Sequence, residues 1–385
     1  MFDADELVAS ARARTGLADF GDERFLVGLH QFVDGLNATD NIIPGREGEL
    51  RKLMLRLLCN LLWRQVDFAQ HPEILEERLL PPVCILSLPR VGTTKLQRQL
   101  GVTGAFQNLL YWHLHMPSRV PGLPEGGRQK RIEITEEFCQ WREAVSPTIN
   151  VTHRSFTHEP DEDAFLQQLC FCSAYLAQTH NLSLYNEWFA AQDPSFAYDF
   201  EKQQLQYLQW QFHRQHPKAW FLKSPGHLGQ EDQLQRIFPG GCRIICPHRE
   251  PAEIFPSAIR LGEDFSKLYN SLPMPVEAFG HMVVDLLHNG MERHMAWREA
   301  NPQVEVLDLS FREICDDSLG TAEKIHDFLE LPLTANARRR IESWDQENPR
   351  HKHGKLELTL EMYGLDERVI NAKFGPYREA FGQFL

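Results

Sequence analysis

The 385-residue sequence predicts an α/β fold in which a P-loop-like parallel β-sheet is flanked by helices. Two observations predict this fold: four short apolar runs occur along the chain, and a polar turn and a helical pattern follow each of them. Repeated strand-then-helix order is typical of a parallel sheet with helices on both faces. The first 75 residues have helical periodicity without a strand pattern, which predicts a helical N-terminal extension.

The predicted core elements follow in chain order. An apolar run at residues 82–88 is the first strand, and a tight loop leads from it to a helix that begins at Thr93 or Thr94. A proline- and glycine-rich stretch at residues 117–128 is expected to be an exposed loop. Residues 156–215 are expected to be a helical insertion whose aromatic residues are candidates to wall a pocket.

Three more strands are predicted after the insertion, and each is followed by a helical pattern. The strands are expected at residues 219–223, 242–247 and 304–309, and the helices within residues 227–238, 251–261 and 318–331. No repeat or linker divides the chain, so we expect one domain over residues 1–385, with the extension at 1–75 and a nucleotide-binding core at 80–385.

Composition excludes several classes of partner. Asp and Glu total 53 and Lys and Arg total 40, so the formal charge of −13 argues against general binding to nucleic acid or to anionic membranes. The apolar runs are far shorter than the roughly 20 residues of a transmembrane helix. The acidic N-terminal segment does not match a signal peptide, so a cytoplasmic location is expected. The eight cysteines contain no CxxC pair and are expected to be free thiols.

The loop at residues 87–95 has the chemistry of a phosphate site. It reads SLPRVGTTK, which is close to a nucleotide P-loop but lacks glycine at position 87 and has Thr93 where the phosphate-binding lysine would stand. Its backbone N–H groups, its hydroxyls and Arg90 can still hold a phosphate at a helix N-terminus. A structural turn capped by threonines is the alternative.

A second candidate anion site lies downstream. Arg249 ends a predicted strand, and Ser257 follows in the next helix, so both can converge on one anion outside the carboxyl end of the sheet. Arginine offers a charge-assisted fork and serine a short hydroxyl donor. An arginine and a serine at the surface are the alternative interpretation.

Three motifs in order resemble a known family. They read PRVGTT, LKSPGHL and HREPAEIFPSAIRL, and they resemble the signatures PRTGTT, LKSPxHL and HRDPxxxxPS of the broad bacterial branch of sulfotransferases that use 3′-phosphoadenosine 5′-phosphosulfate (PAPS). The similarity extends from about residue 25 to the C-terminus. Three positions depart from that pattern: Val91 replaces a hydroxyl residue, Glu250 replaces Asp, and His113 stands where the branch commonly has Glu.

The resemblance implies a role for each motif residue. The first loop would hold the 5′-phosphosulfate, and Arg249 and Ser257 would hold the 3′-phosphate. His227 would be the general base, while Lys223 and Arg90 would stabilise charge on the bridging oxygen. Glu162, in the acidic segment THEPDEDAF with His158 and Glu159, is the second choice for the base. The loop residues concerned are Arg90, Val91, Gly92, Thr93 and Thr94, and Lys352 is a further candidate for nucleotide binding.

The predicted activity is therefore sulfuryl transfer from PAPS to a hydroxyl or amine of a small-molecule acceptor, with adenosine 3′,5′-bisphosphate (PAP) as product. No metal is expected, because the His-x-His pairs at 113/115 and 351/353 lack a third ligand in sequence. A P-loop kinase and a non-catalytic nucleotide-binding protein are the alternatives. The sequence identifies neither the acceptor nor the oligomeric state.

Overall fold

A computed structural model describes residues 1–349, 352 and 354–385. Its sheet has five parallel strands in the order β2-β3-β1-β4-β5. The predicted α/β class with a parallel sheet is confirmed. The strands are β1 Val83–Ile85, β2 Gln107–Asn108, β3 Trp220–Lys223, β4 Arg243–His248 and β5 Val306–Ser310.

Helices surround this sheet. In the described part of the chain they are α1 Ala4–Thr15, α2 Phe25–Asn37, α3 Glu47–Gln70, α4 Thr93–Gly101, α5 Tyr111–His115, α6 Arg128–Val145, α7 Ile149–Thr152, α8 Ala174–His180, α9 Ser183–Ala190, α10 Ser195–Phe212, α11 Glu231–Ile237, α12 Pro251–Ser266, α13 Val276–Ala300, α14 Phe311–Asp316, α15 Ser318–Phe328, α16 Ala335–Glu347, α17 Glu367–Lys373 and α18 Gly375–Phe381. Short 3₁₀ helices occur at Pro72–Glu76, Pro124–Gly127, Asp163–Cys170, Pro225–His227, Glu361–Tyr363 and Gly382–Phe384.

The four predicted strands are β1, β3, β4 and β5; the first three are fully or largely buried, and β5, at the edge of the sheet, is mostly half-buried. The sequence did not predict β2, an edge strand of two polar residues that pairs with β3. Because the strands are parallel, the loops after β1, β3 and β4 leave the same edge of the sheet. Register confirms this, since Ile85 of β1 is paired with Lys223 of β3 and with Ile245 of β4.

The N-terminal extension is helical, as predicted, and packs against the insertion. Helices α1 to α3 share a hydrophobic cluster with the insertion residues Phe171, Leu176 and Tyr185. Gly28 of α2 lies so close to the backbone of Phe171 that a Cβ would overlap the Phe171 carbonyl. Phe171 has φ of +52° at this contact, and it divides the first predicted insertion helix into a 3₁₀ helix and α8.

Two sequence expectations concern the whole chain. The eight cysteines are free, six of them buried, as predicted. None of the described helices is long and apolar enough to cross a bilayer. The division into one domain with the boundaries given above stays a prediction.

Candidate active site

The loop after β1 has a backbone that requires left-handed conformations. Arg90 has φ of +67° and Gly92 has φ of +87°. A Cβ on Gly92 would lie 3.1 Å from Ile314 Cγ2 and 3.3 Å from Phe311 Cδ2, so glycine fits both the conformation and the space. Helix α4 begins at Thr93, where the sequence predicted it, and its N-cap Gly92 offers no side chain to the first N–H groups. A helix end of this kind has the chemistry to bind an anion.

The structure brings the two predicted anion-binding motifs together. Arg90 Nε donates to Ser257 Oγ at 2.9 Å, and Arg249 Nη1 donates to the Arg90 carbonyl at 3.1 Å. Arg90 Nη1 also donates to the carbonyl of Thr152 at 2.6 Å. The loop after β1 and the start of α12 are thus one polar cluster at the carboxyl edge of the sheet.

The charges in this cluster favour an anion. Burial lowers the pKa of Arg90, the nearby positive charge of Arg249 lowers it further, and Glu162 opposes the shift. Arg249 forms an ion pair with Glu253 at 3.0 Å and lies over the Phe311 ring at 4.2 Å. Two close guanidinium groups repel each other, so an anion bound beside them would lower the energy of both.

The remaining loop residues divide into core and ligand-accessible positions. Val91 is fully buried in the hydrophobic core, so only its backbone is available to a ligand at this loop. Thr93 and Thr94 are half-buried, and their hydroxyls make no hydrogen bond within the described residues. The replacement of a hydroxyl residue by Val91 therefore leaves the hydroxyls of α4 in place.

Glu162 lies at the centre of a second polar group. Its Oε1 accepts from Lys223 Nζ at 2.8 Å and lies 4.0 Å from His153 Nδ1. The Glu162 side chain is 19% exposed, whereas that of Lys223 is 1% exposed. Glu162 is also close enough to Arg90 to affect its pKa. This carboxylate therefore joins the loop after β1 to the end of β3.

His227, the general base that the resemblance implies, is enclosed by protein side chains. Its side chain is 1% exposed, and its ring contacts Asp163 through Nε2 at 2.5 Å and the Tyr198 hydroxyl through Nδ1 at 2.8 Å. Burial lowers the pKa of His227, but the Asp163 carboxylate outweighs burial and raises it to about 9. Both ring nitrogens are therefore occupied by protein groups, and the Asp163 carboxylate favours the protonated ring.

Asp163 links this buried histidine to β3. Its Oδ1 accepts from the Lys223 backbone N–H at 2.8 Å, while Oδ2 contacts His227. The buried carboxyl of Glu201 completes the group, and burial followed by the Asp163 charge raises the pKa of Glu201 to about 8. Burial also raises the pKa of Asp163, but His227 lowers it to about 2. These shifts favour a protonated His227 and a neutral Glu201 beside an ionised Asp163.

Other predicted candidates lie outside these contacts. Glu159 pairs with Arg98 at 2.9 Å, and His158 is exposed. Lys352 is exposed and donates to Asn348 at 3.2 Å. His113 is buried and stacks on Phe212, with a ring distance of 4.5 Å, and burial lowers its pKa well below the usual value. Residues 351 and 353 lie outside the described part of the chain.

Sequence reasoning missed three residues in this region. Thr152 supplies the carbonyl that accepts from Arg90, and the next residue, His153, has its Nε2 2.9 Å from Asp161. Burial raises the pKa of Asp161, but His153 lowers it well below the usual range. Asp161 could have been identified from its position, since it precedes Glu162 in the acidic segment. No local sequence pattern identifies His153 as a site residue.

The fold and these polar groups define an α/β protein whose cationic side chains cluster at the carboxyl edge of a parallel sheet. A family model described as the sulfotransferase family matches residues 81–335, which is more than half of the chain. The chain therefore belongs to the sulfotransferase family.

Solved structures share the fold. The sulfotransferase STF9 from Mycobacterium avium is 24% identical, with a TM-score of 0.84 over 99% of this chain and 97% of that chain. The sulfotransferase STF1 from Mycobacterium tuberculosis H37Rv is 24% identical, with a TM-score of 0.80 over 97% of this chain and 99% of that chain. No curated protein sequence matches significantly.

Proposed function

We propose that this chain transfers a sulfuryl group from PAPS to a hydroxyl or amine of a small-molecule acceptor. The observation that carries the proposal is the contact of Arg90 with both Ser257 and Arg249 beside the N-terminus of α4. This arrangement supports a donor with phosphate at two positions, because two guanidinium groups lie together beside one helix end. A cytoplasmic location stays a prediction.

The donor loop fits PAPS by its chemistry. The N–H groups at the start of α4, the hydroxyls of Thr93 and Thr94 and the Arg90 guanidinium would hold the 5′-phosphosulfate. Arg249 and Ser257 would hold the 3′-phosphate, and Arg249 would then exchange its exposed partner Glu253 for the ligand. When bound, PAPS supplies the sulfuryl group that is transferred.

We assign the proton-accepting role to Glu162 rather than to His227. Glu162 is partly exposed and lies close to Arg90, whereas His227 is enclosed and Asp163 raises its pKa. Lys223 holds the Glu162 carboxylate in place and offers positive charge beside the reacting groups. His227 is then a positioning residue, since it fixes Asp163, which binds the backbone of Lys223.

A phosphoryl-transfer function is the weaker alternative. A P-loop kinase uses a lysine after the loop glycine, but Thr93 stands there, and the next lysine, Lys95, donates to the Cys315 carbonyl at 3.0 Å. Arg90 and Arg249 supply the positive charge instead. We therefore expect sulfuryl transfer to continue when a chelator removes divalent metals.

Calorimetry with PAP and with ATP tests the donor assignment. We expect PAP to bind and ATP to bind at least tenfold more weakly, because ATP has no 3′-phosphate for Arg249. Incubation with sulfur-labelled PAPS, an acceptor library and a chelator then tests turnover. Preference for ATP or an absolute Mg²⁺ requirement would overturn the proposal in favour of a kinase, and PAP binding without any labelled product would favour a non-catalytic nucleotide-binding protein.

A further inference from the structure

A histidine and an aspartate form a buried pair beside Glu162. His153 directly follows α7, and its side chain is 6% exposed. The ring nitrogen Nε2 lies 2.9 Å from Asp161 Oδ1, and the other nitrogen, Nδ1, lies 4.0 Å from Glu162 Oε1. The Asp161 side chain is 3% exposed, whereas that of Glu162 is 19% exposed. The imidazole therefore lies between a buried carboxylate and the carboxylate that we assign as the base.

Three further hydrogen bonds hold Asp161 in place. Its Oδ1 accepts from the Glu162 backbone N–H at 2.9 Å, and its Oδ2 accepts from Ser155 Oγ at 2.7 Å. Its carbonyl accepts from Nε2 of Gln97, a residue of α4, at 3.0 Å. An ionised carboxylate can only accept hydrogen bonds. The proton of a neutral His153 ring is therefore on Nε2, which donates it to Asp161, and Nδ1 has a free lone pair.

Backbone contacts fix the histidine side of the pair. Arg142 Nη2 donates to the His153 carbonyl at 3.1 Å. The residue before His153 is Thr152, whose carbonyl accepts from Arg90 Nη1 at 2.6 Å. The pair is thus joined to α4 through the aspartate and to the loop after β1 through Thr152. The imidazole cannot turn Nδ1 away from the base without breaking its hydrogen bond to the aspartate.

The neighbouring lysine makes a protonated Glu162 unfavourable. Lys223 Nζ donates to Glu162 Oε1 at 2.8 Å, and the lysine side chain is 1% exposed. A positive charge at this distance favours the ionised carboxylate. When Glu162 accepts a proton, the buried ammonium group loses its counter-ion, which costs free energy. A second group that takes this proton would restore the ion pair, and His153 Nδ1 lies in position to do so.

We propose that His153 is a proton relay, which takes from Glu162 the proton that Glu162 removes from the acceptor, and that Asp161 stabilises the resulting imidazolium. The inference rests on the proposed sulfuryl transfer and adds the destination of the proton. The gap of 4.0 Å exceeds a hydrogen bond by about 1 Å, so a small rotation of the partly exposed Glu162 side chain or one bridging water closes it.

Bond making and proton transfer balance in this relay. The acceptor oxygen forms a bond to sulfur while the bond between sulfur and the bridging oxygen breaks, and PAP leaves with that electron pair. The proton of the acceptor passes to Glu162 and then to His153 Nδ1, so Glu162 becomes a carboxylate again and re-forms its ion pair with Lys223. The imidazolium gives the proton to water after the products leave.

His153→Gln separates a relay from a structural role, because the amide N–H of glutamine can donate to Asp161 as Nε2 does but the amide cannot take a proton. Turnover of the full chain is measured as transfer of labelled sulfur from PAPS, both to the acceptor library and to water. We expect kcat to fall about tenfold or more, while PAP affinity and the melting temperature stay close to those of the wild type.

A second variant and a control accompany this change. Asp161→Asn keeps the size of the side chain but removes the charge that stabilises the imidazolium, so kcat should fall by a similar factor with PAP affinity unchanged. His294→Asn is the control, because His294 is also buried and pairs through Nδ1 with Glu231 at 2.8 Å, outside the polar groups around Glu162. The control should have a lower melting temperature and unchanged turnover.

Nitrogen-15 NMR of the histidine-labelled chain saturated with PAP reports the His153 tautomer without any acceptor. We expect a proton on Nε2 and none on Nδ1 at about pH 8. A ring with a proton on Nδ1, or wild-type turnover of His153→Gln, would overturn the relay. If His153→Gln does not fold, unchanged turnover of Asp161→Asn overturns the relay instead, and a loss of kcat with PAP affinity intact supports it.

The wild-type chain keeps the two proposals apart. If it transfers no sulfuryl group from PAPS, the proposed function fails and the relay fails with it. If it transfers the group and His153→Gln does so at the same rate, only the relay fails.

Discussion

Arg90 donates a hydrogen bond from Nε to the Ser257 hydroxyl at 2.9 Å, although the two residues are 167 positions apart in the chain. The bond joins the loop after β1 to helix α12, which follows β4. Because β1 and β4 are neighbours in the sheet, their loops leave it side by side. Any ligand held by both loops therefore depends on the sheet as well as on the loops.

Replacing Arg249 should weaken ligands that carry a 3′-phosphate more than ligands that lack it. Arg249→Ala removes a charge whose side chain is 22% exposed, so we expect PAP to bind with about 2 kcal/mol less free energy, or roughly 30-fold more weakly. Adenosine 5′-phosphosulfate, which lacks the 3′-phosphate, should bind almost as before. Calorimetry with both ligands gives the comparison.

The control for this change is Glu253→Gln, which removes the carboxylate that pairs with Arg249. PAP affinity should stay the same or increase, because the ligand no longer competes with Glu253. An equal loss of both ligands in Arg249→Ala would mean that Arg249 acts only by supporting the Arg90 carbonyl.

Replacing Glu162 should lower turnover far more than replacing His227. Glu162→Gln should lower kcat by ~10² to 10⁴-fold with PAP affinity nearly unchanged, the usual contribution of a general base. His227→Ala should lower the melting temperature, because Asp163 loses its buried partner, while the folded fraction keeps turnover within about tenfold of the wild type. Steady-state rates, calorimetry and thermal melts separate the two effects.

Glu159→Gln is the matched control, since Glu159 lies in the same segment but pairs with Arg98. Its turnover should equal that of the wild type. If His227→Ala is inactive yet folded and able to bind PAP, while Glu162→Gln remains active, the base is His227 as the sequence predicted.

The buried group around Asp163 should make stability fall as pH rises. The pKa of Glu201 is raised to about 8, so its contribution is complete below its unfolded pKa of 4.5 and is lost as pH rises through 8. The stability contribution of His227 depends on pH in the same direction. It is complete below the unfolded pKa of 6.5 and is lost as pH rises through the folded pKa of about 9. Glu201→Gln removes the first of these titrations.

Thermal melts from pH 5 to pH 9 test this expectation. Glu201→Gln should melt close to the wild type at pH 5 and about 2 °C or more above it at pH 9, since an isosteric amide cannot ionise beside Asp163. The exposed Glu342→Gln serves as control and should follow the wild type at every pH. Parallel curves for Glu201→Gln and the wild type would show that Glu201 does not titrate in this range.

Gly92→Ala should affect both stability and donor binding. The left-handed φ and the short distances to Ile314 and Phe311 predict a loss of about 1–2 kcal/mol in the free energy of unfolding. PAP affinity should fall more than tenfold, because the start of α4 must shift. Gly48→Ala, at a helical position with nothing within 4 Å, should be neutral or slightly stabilising. A Gly92→Ala variant that folds and binds PAP normally would contradict the role given to this turn.

The sequence predicted those elements whose signals are local. The apolar run before the loop and the proline and glycine within it located β1 and the start of α4. The edge strand Gln107–Asn108 was missed because two polar residues carry no strand pattern, and their pairing depends on β3. The break at Phe171 was missed because the local pattern is helical throughout, whereas Phe171 packs against Gly28 of another helix.

The residues of the candidate site were also predicted in part from the sequence. Motif order identified Arg90 and Ser257, which do lie in contact. His227 was singled out by its position after a strand, but its burial depends on Tyr198 and Asp163, which come from other segments. Whether a histidine is enclosed depends on tertiary packing, which no local sequence pattern predicts.

Gly28 of α2 packs against the backbone of Phe171, at the end of the 3₁₀ helix that begins with Asp163. Asp163 accepts from the Lys223 backbone N–H, so contacts run from the N-terminal extension to the end of β3. A side chain larger than hydrogen at position 28 would displace the Phe171 backbone. The extension is therefore a structural support of the candidate active site, and a substitution far from that site in sequence would alter it through the insertion.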